Sequence, residues 1–255
     1  MAVAGKNAVR EARGAAVPAP ATVEAVLELL VLLQTEVESH GSRRHEDGIA
    51  RVNHLCTEVT RDVLDGLAAG SFVDPEFAAV LDVQLMVRYL RAVRDDALGA
   101  TVARSWRVLF ERRAVASIAP VRFALAGVNA QVNHDLAVAL VSTSTVLDRP
   151  PGAVERQDFT TLTHVLAERL RRHAGEQPGG GPGGAVDDDV VGLVAELSRG
   201  ASWRRAEHLW TLRGRPGEAE AERASIDWRA SMIGRAILTR GSTEDAVCGS
   251  GICLP

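Results

Sequence analysis

Between Val121 and Val141 the chain reads VRFALAGVNAQVNHDLAVALV, an apolar run that carries Asn129, Gln131, Asn133, His134 and Asp135. An imidazole beside a carboxylate can move a proton near neutral pH, and amides one helical turn apart can position a polar ligand. The run reads as one helix with no polar face, and such a helix belongs in the middle of a domain. There, each unpaired polar group costs about 1–3 kcal/mol. These groups therefore need partners or a wet cavity. On a helical wheel Asn129 lies one turn from Asn133, and Gln131 one turn from Asp135, with His134 beside the latter.

Two readings fit this pattern. In the first, His134 and Asp135 are catalytic: His134 is the general acid or base and Asp135 orients it. Asn129, Gln131, Asn133, Arg88 and Tyr89 then bind a small-molecule substrate, as in a metabolic enzyme. In the second, the polar groups form a buried network with Arg88, Arg122 or backbone carbonyls, and the chain is a non-catalytic ligand-binding or scaffold protein. The sequence names neither a reaction nor a cofactor, and enzyme status stays open.

The elements that would position these residues are helical. The 255 residues are 46% hydrophobic and only 4% aromatic, which favours helices over sheets. Thr22 can cap a helix to about Ser39, Asp47 begins one that Gly70 ends, and Asp74-Pro75-Glu76 opens a third to about Arg94. Trp106 to Arg113 reads as a short helix, a long one follows from Pro120, and Asp148-Arg149-Pro150-Pro151-Gly152 breaks the chain. Further helices are predicted over 154–173, from Asp187 to about Leu212, and from Pro216 to about Arg240. The expected fold is all-α, a single bundle of about seven helices around a buried central helix 121–147. The expected organisation is a disordered arm 1–20, a helical domain 21–240 with a flexible linker 175–186, and a disordered tail 241–255.

A net charge of -4 gives no general attraction to nucleic acid or to an anionic membrane, so neither partner is expected and a small-molecule ligand is. Oligomeric state is left open. The first twenty residues hold no apolar targeting core, and the run Ala25 to Leu33 is broken by Glu28 and far short of the roughly 20 residues of a span. A cytoplasmic protein is expected. Glu58, Asp82, His134 with Asp135, and Glu207 with His208 lie on four helices, like the ligands of a carboxylate metal bundle. The Glu-x-x-His pairs of such a bundle are missing, and no metal ligand is assigned. His54 and Glu58 form only an i, i+4 pair.

Other chemistry is thinly represented. Arg199, Trp203, Glu207 and Trp210 recur on one helical face, as an aromatic pocket or as a core edge with a cation-π contact. Cys56 lies on an apolar face, whereas Cys248 and Cys253 lie in the Gly-rich tail with no ligand pair beside them. No nucleophile elbow, phosphate loop, dinucleotide fingerprint or zinc-protease motif occurs.

The phrase FALAGVNAQVNHDL (123–136) resembles the F-A-L-A-G-M-N-A-H-I-N-R/H-D-L-P signature of the uncharacterised, mainly actinobacterial proteins grouped as domain of unknown function 5995. In order along the chain, GIARVNHLCTEVTRDV (48–63), DPEFAAVLDVQLMVRYLRAV (74–93), SWRVLFERR (105–113) and WRRAEHLWTLR (203–213) are similar to further phrases of that family. The likeness spans roughly residues 47–240. It implies an all-α fold and no assigned chemistry. The family phrase has a histidine where this chain has Gln131, and a proline where it has Ala137. An amide is a poor substitute for an imidazole ligand, so the resemblance lends no weight to metal catalysis on this helix.

Overall fold

Short side chains at the expected boundaries start the first three helices. Thr22 Oγ1 accepts from the Ala25 amide across 3.2 Å and opens α1, Val23–His40. Asp47 accepts from Ile49 at 2.8 Å and opens α2, Gly48–Ala68, while Asp74 accepts from Phe77 at 3.1 Å ahead of Pro75 and α3, Pro75–Ala97. α4 is short, Arg104–Phe110. α5 runs without a break through Pro120–Ala130, the turn Gln131–Asp135 and Leu136–Val146. α6 (Ala153–Gly175), α7 (Asp188–Thr211) and α8 (Pro216–Thr239) complete the bundle.

The computed structural model describes residues 20–40, 47–175 and 188–239. The arm expected at 1–20, the linker at 175–186 and the tail at 241–255 lie outside these residues except for Pro20 and for Gly175, which closes α6. Eight helices and no strand occur among the described residues, an all-α bundle. None of these helices is long and apolar enough to cross a membrane.

α5 sits at the centre, packed against α2, α3, α4, α6, α7 and α8. Residues 121–140 of α5 are buried apart from Arg122, Leu125 and His134, which are half-buried. One continuous core surrounds it, drawn from Leu30, Leu55, Leu81, Trp106, Phe159 and Leu209 among others. Each such side chain is worth about 1.5–3 kcal/mol when fully buried. Glycine sets the spacing where α2 crosses α5. A Cβ on Gly127 would lie 2.5 Å from Val52 Cγ2, and one on Gly48 would lie 2.6 Å from the Phe123 ring.

Two helix starts are capped from far along the chain. Asp158 of α6 accepts from the Val73 and Asp74 amides at 2.9 and 2.7 Å, just ahead of α3. α4 has no side-chain cap of its own, and Asp227 of α8 accepts instead from Arg104 and Ser105 at 2.8 and 2.9 Å.

Candidate functional site

The polar groups of α5 gather at a defect in its backbone. Over Gln131–Asp135 the helix widens to a π turn, with the Leu136 amide donating to the Gln131 carbonyl five residues back. Such turns recur at functional positions, because the extra residue re-aims its neighbours and disturbs the regular ladder. α7 takes up two carbonyls of this turn: the Ser202 hydroxyl donates to Val132 O, and Arg205 Nη1 donates to Asn133 O at 3.2 Å. The turn is thereby fixed from outside.

Each of the three amides donates a hydrogen bond inside the protein. Asn129 Nδ2 donates to the Ala230 carbonyl of α8 at 2.8 Å, and Asn133 Nδ2 donates to Asn129 Oδ1 at 3.1 Å, which is the one-turn pairing expected from the wheel. Gln131 and Asp135 part company. Gln131 Nε2 donates to Cys56 Sγ of α2 at 3.1 Å, whereas Asp135 Oδ2 accepts from the Trp106 indole at 2.7 Å. Arg122 lies apart from this network and donates to Ile237 O at 2.9 Å.

His134 Nδ1 stands 2.8 Å from Asp135 Oδ1 as an ion-pair contact without hydrogen-bond geometry, and the two side chains are 13% and 3% exposed. One carboxylate therefore faces an indole and an imidazole at once. Burial works against the imidazolium, yet Asp135, with a smaller push from Asp227, holds the His134 pKa above its usual value. Arg88 lies within electrostatic reach of Asp135, Arg91 and Arg223. Its Nη2 donates to Ser142 Oγ at 3.0 Å, and its Nε has no hydrogen-bond partner among the described residues. Tyr89 is fully buried with its ring 5.2 Å from Trp106, and its hydroxyl also lacks a partner among the described residues.

A family model described as a family of unknown function, DUF5995, matches residues 23–240. The chain belongs to this family. No curated protein and no solved structure matches it. Family membership brings no activity with it, so the chemistry of this DUF5995 member has to be read from its own side chains.

A cavity of about 20 Å³ lies on the other side of the π turn, enough for one water molecule. Gln131, Cys56, Asp82 and Thr163 supply its polar lining and Leu81, Leu85 and Leu166 part of its apolar wall; His134 and Asp135 do not border it. Burial pushes the Asp82 carboxyl up to about 7 and the Cys56 thiol up to about 12. At neutral pH the Cys56 thiol is therefore neutral.

The remaining candidates are dispersed. Glu58, Asp82, the His134–Asp135 pair, Glu207 and His208 form no common ligand cluster among the described residues. Trp203 is buried against Phe159, donates to Glu207 at 2.7 Å and has the Arg156 guanidinium 5.8 Å from its ring, while Arg213 covers Trp210 at 4.6 Å. That face is a core edge. Reading the sequence missed Trp106 and Arg205 as partners of the central helix. Nothing in their spacing announces contacts that only the tertiary packing creates.

Proposed function

We propose that this protein is a small-molecule metabolic enzyme in which His134 exchanges protons with a small anionic substrate and Asp135 orients the imidazole. The observation that carries the reading is the 2.8 Å approach of His134 Nδ1 to Asp135 Oδ1, with the other carboxylate oxygen held by the Trp106 indole. A carboxylate on Nδ1 stabilises the imidazolium and leaves Nε2 as the nitrogen that works, the division of labour known from carboxylate–histidine pairs in general. His134 is the one polar residue of the π turn that is not fully buried. The incompletely paired Arg88, with Arg91 and Arg223 nearby, favours a carboxylate or phosphate group on the substrate. Asn129, Asn133 and Gln131 act in this reading by holding the turn in shape.

The second reading, a non-catalytic ligand-binding or scaffold protein, is favoured by a different observation. Asn129, Asn133 and Gln131 each donate a hydrogen bond inside the protein, and the cavity lies on the Gln131 side rather than beside His134. Nuclear magnetic resonance of the His134 imidazole tests the first. Wild-type His134 is expected to titrate above the ordinary value of about 6.5, to fall in Asp135→Asn, and to shift when phosphate or succinate is added. An imidazole that ignores both the Asp135→Asn change and the two anions defeats the enzyme reading.

A further inference from the structure

α2 and α6 bring together two imidazoles and a carboxylate away from the π turn. His54 and Glu58 are one turn apart on α2, and His173 reaches the same carboxylate from the last turn of α6. Glu58 Oε2 lies 3.2 Å from His173 Nε2, Glu58 Oε1 lies 3.9 Å from His54 Nε2, and the two rings are 5.2 Å apart between centroids. One ligand atom from each residue falls within 4.8 Å of the other two.

We propose that His54, Glu58 and His173 bind one divalent transition-metal ion of the zinc class, linking α2 to α6. Zinc–nitrogen and zinc–oxygen bonds of about 2.0–2.2 Å put tetrahedral ligand atoms roughly 3.3 Å apart. The Glu58–His173 pair is already at that separation. His54 closes the remaining gap by rotating, which its 49% side-chain exposure permits. Two imidazoles with one carboxylate suit zinc or iron(II) rather than magnesium or calcium, which prefer all-oxygen shells. Three protein ligands leave a fourth position open to water or substrate.

The neighbouring charges tolerate the ion. Arg169 Nη1 is 3.6 Å from Glu58 Oε1, but its Nε and Nη2 both donate to the Asp62 carboxylate. Metal binding takes Glu58 from Arg169 and leaves that guanidinium its bidentate partner. This site is independent of the His134 reading, and either can fail alone.

The test is calorimetric titration of zinc chloride into the full chain, stripped with chelator, at pH 7.5, with cobalt(II) absorption as a second readout. One equivalent is expected to bind, a cobalt band to appear, and the melting temperature to rise with zinc. His54→Ala and Glu58→Gln are each expected to weaken binding by at least about tenfold. The exposed position of His54 makes its variant safe for folding, and circular dichroism checks both. A Cys248→Ser/Cys253→Ser variant is expected to bind as the wild type does. The proposal is overturned by no binding at one equivalent, by unchanged affinity in His54→Ala, or by loss of binding in the cysteine variant.

Discussion

The indole of Trp106 and the carboxylate of Asp135 meet across 2.7 Å in the interior, so a core aromatic holds the same acid that faces His134. Both residues are buried, Trp106 to 1% and Asp135 to 2% exposure. Packing and electrostatics converge on one hydrogen bond.

Replacing Trp106 by Phe keeps much of the ring volume but removes that donor from a buried charge. A loss of about 2 kcal/mol is expected, the usual range for a hydrogen bond to a charged group. The companion effect is a change in the His134 titration, because the carboxylate it faces has lost a partner. Urea unfolding gives the first and imidazole chemical shifts the second; an unchanged stability would mean that water replaces the indole.

Asp82 gives the bundle a pH dependence of definite sign. Its carboxyl pKa rises from 3.8 to about 7 through burial, and its Oδ2 has no hydrogen-bond partner among the described residues. The native state therefore keeps a proton that the unfolded chain releases, and stability falls as pH rises between those two values. The full shift corresponds to about 4 kcal/mol. Asp82→Asn is expected to flatten the change in urea midpoint between pH 4.5 and 7.5. His134 adds the same sign, since its raised native pKa gives stability that is complete below about 6.5 and lost as pH climbs through the higher native value.

Gly127→Ala should strain the α2–α5 crossing, because the new Cβ would fall 2.5 and 2.7 Å from the two methyl carbons of Val52. Overpacking of this kind costs about 1–3 kcal/mol. Val52→Ala in the same chain is expected to recover part of that loss. Additive effects in the double-mutant cycle would show that the two positions are not in contact.

Helix boundaries were legible in the sequence because short-range chemistry fixes them. Thr22, Asp47 and Asp74 cap where their types and positions imply, and Pro120 and Pro216 open α5 and α8. The burial of α5 followed from its lack of a polar face. The short α4 begins two residues earlier than Trp106 and ends at Phe110, since Asp227 caps it from another helix and local signals do not contain that cap. The π turn was not legible either. A strict wheel pairs Gln131 with Asp135, but the extra residue in the turn sends one to Cys56 and the other to Trp106. His173 reads in isolation as the basic end of α6. Only the α2–α6 packing sets it against Glu58 and His54.

The dependence of the early helices on α8 also sets an order in time. A ribosome delivers residues 104–135 well before Asp227, Ala230 and Ile237, yet those later residues hold the start of α4, the amide of Asn129 and the guanidinium of Arg122. Until α8 emerges, the nascent chain carries a long apolar helix whose polar groups still lack these acceptors and whose α8-facing side stays open to solvent or to a chaperone. The packing of the central helix is complete only once α8 has been synthesised.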